Sequence, residues 1–137
     1  MLINYIDSEA DTNPVFYVQY AHARICSIFK RLEEMKLNLD TEVDVSLLKE
    51  PEERQLMKKL ADYPDTVYES ASEMAPHIIT RYLQDLSAIF HSYYNKCKVL
   101  DSENIEMTKA RLLLVECVMI VLQNGLEILG ISAPESM

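Results

Sequence analysis

Residues 76–99 read PHIITRYLQDLSAIFHSYYNKCKV, and the spacing of their apolar side chains decides the fold class. Apolar residues recur there every three or four positions, at Ile79, Leu83, Leu86, Phe90, Tyr93 and Cys97. This period places the apolar side chains on one face of an amphipathic helix. Pro76 suits the first turn of a helix, where a proline removes no helical hydrogen bond. We therefore predict a helix over 76–99 that packs one face into a core.

The same period marks two more long helices, one on each side of this stretch. A helix is predicted over 14–37 with Asn13 as its N-cap. Its apolar stripe consists of Val18, Ala21, Ile25, Ile28, Leu32 and Met35. A last helix is predicted to follow Ser102 as its N-cap, and Gly125 is predicted to bend or end it. Its stripe consists of Ile105, Leu112, Val115, Met119, Leu122, Leu126 and Leu129.

Two shorter helices are predicted to begin at Pro51 and Pro64, between the long ones. The chain has 137 residues, of which 49% are hydrophobic and only 2 are glycine, so it suits one compact domain rich in helix. The sequence therefore predicts an all-α bundle of about five helices over 13–137.

Composition narrows the classes of function. The formal net charge of −9 argues against a protein that holds nucleic acid by bulk positive charge, although a local basic patch remains compatible with it. No apolar run is long enough to span a membrane, and the N-terminus lacks the pattern of a signal peptide. Cys26, Cys97 and Cys117 all fall in apolar helical patterns, so we expect reduced, buried thiols and a cytoplasmic protein.

No motif predicts catalysis or metal binding. The sequence has no phosphate-binding glycine loop and no Cys-x-x-Cys pair, and its three histidines, His22, His77 and His91, lie far apart. Acidic pairs such as Glu33–Glu34 and Glu52–Glu53 are interpreted as solvated helix faces. We expect no catalytic residue and no metal ligand in this chain.

Two segments contain more aromatic and polar residues than the packing of a helical bundle requires. In residues 13–24, NPVFYVQYAHAR, the spacing of Tyr17, Tyr20 and Arg24 places them on one helix face. Residues 76–83 and 90–98 mix rings, amides and cations in the same way. Such mixtures suit single-stranded RNA, whose splayed bases stack on rings or guanidinium planes. The alternative is that the tyrosines are half-buried core residues with a polar tip.

These segments also carry a family resemblance. NPVFYVQYAHARI at 13–25 resembles the block that opens the anticodon-binding domain of arginyl-tRNA synthetases. Residues 76–100 look like its central helix, and KARLLLV at 109–115 with LQNGLEILGI at 122–131 look like its last helix. SAPESM at 132–137 resembles the family's C-terminus, except that Ser136 stands where the family often has Arg. The blocks follow the family's order over nearly the whole chain.

The resemblance implies a helical DALR-type anticodon-binding domain of a class Ia synthetase over 13–137. Residues 1–12 look like the end of a preceding region or linker. The class I motifs His-Ile-Gly-His and Lys-Met-Ser-Lys are absent, so this stretch is expected not to be an enzyme on its own. The resemblance assigns ATP and Mg²⁺ to a catalytic domain that joins arginine to its tRNA, and no cofactor to this stretch.

The resemblance also implies the residues that bind the anticodon loop. All arginine anticodons share a middle cytosine, so the domain is expected to hold one flipped cytosine. Tyr17 and Tyr20 are the expected stacking platforms, and Arg24 is expected to contact phosphate or stack. The remaining candidates are Gln19, His22, Ala23, Arg81, Tyr82, His91, Tyr94, Asn95 and Met137. Lys96, Lys98 and Lys109 are alternatives for the stem backbone, whereas Arg111 is expected to form an ion pair within the domain.

The partners implied are arginine tRNA, through its anticodon loop and stem, and the catalytic domain of the same parent chain. Self-association through an exposed domain interface is a further expectation. A helical protein–protein interaction module is the alternative function. Methionines in the apolar stripes would suit it: Met35, Met57, Met74, Met107 and Met119.

Overall fold

The computed structural model describes residues 13–137, and the prediction made for residues 1–12 lies outside this range. The described chain contains five α-helices and one 3₁₀ turn, Val45–Leu47. The helices are α1 (Pro14–Met35), α2 (Pro51–Ala61), α3 (Tyr63–Ser72), α4 (His77–Lys96) and α5 (Ile105–Ile128). The predicted all-α bundle of about five helices is confirmed.

The three long helices form the core, and the two short helices cover one side of it. α1 packs against both α4 and α5, while α2 and α3 pack against α4. Leu83, Leu86, Phe90 and Tyr93 on α4 are fully buried, as the apolar period predicts. Because α4 contacts every other α-helix, it fixes the position of the α1 surface described below.

Local hydrogen bonds set the helix ends. Asn13 Oδ1 accepts a hydrogen bond from the backbone N–H of Val15 at 3.0 Å, so Asn13 is the N-cap of α1, as predicted. The predicted cap of the last helix, Ser102, is wrong: Asn104 caps α5 and its Oδ1 accepts from Met107 N–H at 3.3 Å. The Thr108 hydroxyl donates to the carbonyl of Asp101 at 2.9 Å, which bends residues 101–104 into a turn before the helix.

Gly125 does not end α5, since the helix runs on to Ile128. A Cβ atom at this position would lie 2.6 Å from Leu83 Cδ2 and 2.8 Å from Leu83 Cδ1. Leu83 is fully buried, so it has little room to move. The glycine therefore lets α4 and α5 approach each other closely.

Glu53 corrects the interpretation of Glu52–Glu53 as a solvated pair, because it is fully buried between α2, α4 and α5. Its Oε2 accepts hydrogen bonds from Arg111 Nε at 2.9 Å and from the Tyr93 hydroxyl at 3.1 Å. Its Oε1 accepts from the backbone N–H of Glu50 at 3.1 Å and completes a capping box. The expected ion pair of Arg111 within the domain is confirmed.

The structure also differs from the sequence-based expectations for the cysteines and for Lys109. All three cysteines are free thiols, but Cys117 is exposed and Cys26 half-buried, so only Cys97 is buried as expected. Lys109 is buried and its Nζ lies 2.7 Å from Asp40 Oδ1 and 2.9 Å from Glu106 Oε1, so it does not face a nucleic acid. Between residues 13 and 137, the longest apolar stretches of helix fall short of what a membrane crossing needs.

Candidate nucleic-acid interface

Five side chains from α1 and α4 form a surface that we call the aromatic face: Tyr17, Tyr20, Arg24, His91 and Tyr94. The two tyrosines of α1 flank the His91 ring, with centroid distances of 5.0 Å for Tyr17 and 5.5 Å for Tyr20. The Tyr20 and His91 rings are stacked at an interplanar angle of 27°. Tyr17 is 39% exposed and Tyr20 40% exposed, so both rings remain open to solvent.

Arg24 connects the two helices within the aromatic face. Its guanidinium carbon lies 4.3 Å from the centroid of the Tyr94 ring and 5.7 Å from that of Tyr20. Both distances are within the range of a cation–π interaction. Its Nη1 lies 3.1 Å from His91 Nδ1. The predicted sharing of one face by Tyr17, Tyr20 and Arg24 is therefore confirmed, and His91 is at its centre.

The contact with Arg24 fixes the tautomer of His91. A guanidinium group can only donate hydrogen bonds, so His91 Nδ1 must accept and Nε2 must carry the proton. Burial lowers the pKa of His91 below its usual 6.5, and the nearby Arg24 charge lowers it further. His91 Nε2 is a buried donor with no hydrogen-bond partner in the described part of the chain. The aromatic face thus contains a neutral imidazole whose Nε2–H group is buried and has no partner in the described part of the chain.

The lowered pKa predicts an acid-sensitive fold. Below pH 6.5 the unfolded chain takes up a proton at His91 while the folded chain resists it, so stability is lost as pH falls through the folded pKa. We expect the melting temperature of the wild type to fall more between pH 7.5 and 5.5 than that of His91→Gln. His22 and His77 are present in both proteins and cancel in this comparison. Equal losses in the two proteins would contradict the prediction.

Gln19 and His22 lie on the neighbouring side of α1, where they contact the C-terminal tail. Gln19 Nε2 donates to the carbonyl of Ser132 at 2.9 Å, and His22 Nδ1 donates to the carbonyl of Pro134 at 2.9 Å. His22 and Ala23 are buried, so their side chains do not line an open pocket. The tail itself ends at Met137, which is 58% exposed.

The structure does not bring the remaining candidates into the aromatic face. Tyr82 is buried, and its hydroxyl donates to the carbonyl of Lys59 at 2.5 Å. It lies nine residues before His91 on α4, which at 100° per residue is the opposite side of the helix. Tyr82 therefore lies away from the two stacking tyrosines, and its expected contribution to anticodon binding stays a prediction. Arg81 and Asn95 are exposed on α4, outside the contacts that build the face.

The sequence interpretation missed Arg31, which lies seven residues after Arg24 and hence on the same side of α1. Arg31 borders a pocket of about 250 Å³ at the C-terminal end of α4. The pocket is lined by Ile28, Arg31, Tyr94, Cys97, Lys98, Val99 and Leu100. The spacing of Tyr17, Tyr20, Arg24 and Arg31 on α1 was a signal that could have identified it.

No group of three or more His, Cys, Asp or Glu side chains within residues 13–137 is arranged to hold a metal ion. The aromatic face itself consists of rings and one guanidinium group, with no carboxylate among its members. Its chemistry is that of a stacking surface with a single fixed positive charge.

Comparison with known proteins identifies many relatives of the same kind. The chain is 51% identical over 130 residues to an arginine–tRNA ligase of Listeria monocytogenes, and 50% identical over 132 residues to one of Desulforamulus reducens. Each alignment covers 95% of this chain and 23% of the relative. The chain thus spans about a quarter of the length of these relatives.

Solved structures give the same result. The arginyl-tRNA synthetase of Thermus thermophilus matches 93% of this chain and 21% of its own length, with a TM-score of 0.76 and 37% identity. That of Plasmodium falciparum matches 89% of this chain and 21% of its own length, with a TM-score of 0.72 and 30% identity. These matches confirm the predicted fold of a synthetase anticodon-binding domain.

The family described as DALR anticodon binding domain matches residues 18–137. This match covers most of the chain and agrees with both the relatives and the solved structures. The predicted resemblance is confirmed: the chain belongs to the DALR anticodon binding domain family.

Proposed function

We propose that this chain recognises the anticodon loop of arginine tRNA through the aromatic face. The observation that carries the proposal is the pair of open tyrosine rings, Tyr17 and Tyr20, held around a neutral His91 and next to Arg24. Stacking of unpaired bases on aromatic rings and guanidinium planes is the usual way in which proteins hold single-stranded RNA. The relatives named arginine–tRNA ligases support the choice of RNA.

The proposed target within the loop is the middle cytosine that all arginine anticodons share. Its ring would stack on Tyr20, with Tyr17 on the other side of His91. Arg24 would contact the adjoining phosphate or extend the stack. The Nε2–H of His91, which is buried in the free chain, would donate to an acceptor on the edge of the base once RNA binding exposes it, since a buried donor without a partner gains most from such a contact.

The other candidates take supporting places in this proposal. Gln19 and His22 hold the C-terminal tail against α1, and Met137 at its end would lie against a loop base through its apolar side chain. Ala23 is buried and would shape the base pocket through its backbone. Arg81 and Asn95 are exposed and would contact neighbouring parts of the tRNA, with Lys96 and Lys98 near the stem. Tyr82 packs the bundle, because its ring is buried and its hydroxyl already has a partner.

We further propose that the chain serves a longer arginine–tRNA ligase. There the ligation of arginine to tRNA, with ATP and Mg²⁺, would take place in a catalytic domain of the same parent protein. This chain would anchor the far end of the tRNA and perform no chemistry itself. A cytoplasmic location would follow from this role. Exposed apolar residues of α5, such as Leu113, Ile120 and Ile128, would contact that domain or a second copy.

The experiment that tests the proposal compares two RNA stem–loops. One carries an arginine anticodon, and the other differs only in its middle base, changed from C to U. We expect the change to weaken binding to the chain by about 1–3 kcal/mol, because groups arranged for one base edge are left unpaired by another. Equal affinities for the two stem–loops would contradict recognition of the middle cytosine.

Tyr20→Ala tests the stacking surface itself. We expect it to cost about 1–3 kcal/mol in binding of the arginine stem–loop while the helical circular dichroism signal is retained, because Tyr20 is only half-buried. Tyr68→Ala is the matched control, since Tyr68 is an exposed tyrosine on α3, outside the aromatic face. If the two variants bind equally well, Tyr20 does not belong to the site.

The alternative of a helical protein–protein module has one observation in its favour. α5 presents an outer face with Leu113, Cys117, Ile120 and Ile128 exposed, and Met74 in the turn after α3 is 89% exposed. Salt separates the two functions. For RNA binding, the logarithm of the affinity should fall linearly with the logarithm of the salt concentration. Binding of a protein at an apolar face should not show this dependence.

A further inference from the structure

The side of α1 that carries the aromatic face extends further along the helix. Arg24 is followed on this side by Ile28 and then by Arg31, at intervals of four and three residues. Two turns, or about 10 Å, separate Arg24 from Arg31. Opposite Ile28 and Arg31, the chain leaves the C-terminal end of α4 and encloses the pocket of about 250 Å³.

The pocket and the aromatic face share one side chain. The Tyr94 ring lies 4.3 Å from the Arg24 guanidinium carbon and also forms a wall of the pocket. The rest of the interior is apolar and comes from Ile28, Cys97, Val99 and Leu100. Burial raises the pKa of the Cys97 thiol, so this wall is uncharged at neutral pH. The interior therefore suits a flat, weakly polar group.

The rim of the pocket carries two weakly engaged cations. Within residues 13–137, Arg31 has neither a hydrogen bond nor an ion pair for its guanidinium group. Lys98 Nζ lies 4.0 Å from Asp101 Oδ1, and the lysine side chain is 74% exposed. By contrast, Lys96 and Lys109 approach their carboxylate partners to 2.6 and 2.7 Å. In a chain of net charge −9, one unpaired and one weakly paired cation mark a local site for an anion.

We propose that this pocket is a second nucleotide subsite, for the nucleotide that adjoins the one held at the aromatic face. Its phosphate lies between Arg31 and Lys98, and its base or ribose lies against Tyr94 and Ile28. The volume is below the roughly 300–1,000 Å³ of pockets for drug-sized ligands, so it suits one base or sugar. This inference rests on the proposed binding of an RNA loop.

An RNA strand fits these observations better than a free anion does. An isolated phosphate would use Arg31 and Lys98 but would leave the apolar interior unfilled. A strand that runs along α1 from Tyr20 towards Arg31 uses both the rings and the cations. Arg24 and Arg31 then contact successive parts of one backbone, two helical turns apart.

Arg31→Gln is the variant that tests the subsite, with Lys58→Gln as its matched control. Both positions are exposed on helices and each change removes one positive charge, but Lys58 lies on α2. We expect Arg31→Gln to weaken binding of the arginine stem–loop by about 5- to 10-fold and Lys58→Gln by less than about 2-fold. The slope of log affinity against log salt should become shallower by about 0.7 in Arg31→Gln alone.

Two further arms identify the occupant. Removing the base on one side of the middle cytosine, with its backbone kept, should weaken binding to the wild type by about 5-fold or more for one of the two neighbours. Inorganic phosphate at matched ionic strength should not displace the RNA, and displacement would assign the pocket to a free anion instead.

The outcomes separate this inference from the proposed function. If Tyr20→Ala weakens binding while Arg31→Gln matches Lys58→Gln, the second subsite is wrong and the aromatic face stands. Weakening by Arg31→Gln with no effect of either base removal overturns the base contact. If neither Tyr20→Ala nor Arg31→Gln weakens binding, the RNA function itself is overturned.

Discussion

Arg111→Met is expected to lower the free energy of unfolding by about 3–5 kcal/mol, because it leaves a fully buried carboxylate without its counter-ion. Glu53 would retain hydrogen bonds from the Tyr93 hydroxyl and the Glu50 backbone, but no positive charge. Methionine preserves much of the packing volume, so the loss reports the polar contacts of Arg111 and not a cavity. Besides the pair with Glu53, these contacts include the exposed hydrogen bond from Arg111 Nη1 to the Lys98 carbonyl at 2.8 Å. Domains of this size have a free energy of unfolding of only about 5–15 kcal/mol, so the variant should retain little stability.

Denaturant unfolding followed by circular dichroism measures this loss, and Lys96→Met is the matched control. Lys96 pairs with Glu52 at 2.6 Å, but it is 60% exposed, so its loss should destabilise the chain far less than the loss of Arg111. Adding Glu53→Gln to Arg111→Met should recover part of the stability, because the buried charge is then removed. Equal losses in Arg111→Met and Lys96→Met would show that burial does not strengthen this pair.

Glu53 also shows where sequence reasoning reaches its limit. Its neighbour Glu52 and the charged residues around it are typical of a solvated helix face, and the sequence contains no local sign of burial. Its guanidinium partner lies 58 residues away on another helix. Only the packing of α2 against α4 and α5 brings the two groups together, and no period within α2 carries that information.

The helices themselves were predictable because their signal is local. The stripe of α4 needs only the 3.6-residue period, and the structure buries its members from Ile79 to Cys97 as predicted. Asn13 before Pro14 is an equally local signal and caps α1. Gly125 was misjudged because its role depends on the approach of Leu83 from another helix. Ser102 was misjudged because a tertiary turn closed by Thr108 shifts the start of α5.

The candidate site divides in the same way. The site residues on α1 could be predicted from spacing, since Tyr17, Tyr20 and Arg24 lie three and four residues apart. The site residues on α4 could not be predicted in this way, because the rotation of α4 about its axis decides which of its rings meets α1. That rotation places His91 at the centre of the aromatic face and turns Tyr82 towards Lys59. Spacing along α4 alone therefore gave no reason to rank His91 above Tyr82.

Arg24 is the residue whose loss should weaken RNA binding most. Arg24→Ala removes the single positive charge of the aromatic face, the stack on Tyr94, and the donor that fixes the His91 tautomer. In the proposed complex, a charge-assisted hydrogen bond from Arg24 to the adjoining phosphate and a cation–π contact with a stacked base together account for about 2–4 kcal/mol. We expect a loss of that size in binding of the arginine stem–loop, with the helical signal retained.

Arg24→Lys separates charge from shape. Lysine keeps the positive charge but has no planar group to stack on Tyr94 and no paired donors for His91. The salt slope should stay near that of the wild type in Arg24→Lys and become shallower by about 0.7 in Arg24→Ala. The binding free energy, however, should recover by less than half of the loss seen in Arg24→Ala. Lysine restores neither the stack on Tyr94 nor the donor that fixes the His91 tautomer. Wild-type affinity in Arg24→Lys would mean that Arg24 acts as a point charge alone, and the geometry around His91 would then have no part in holding the base.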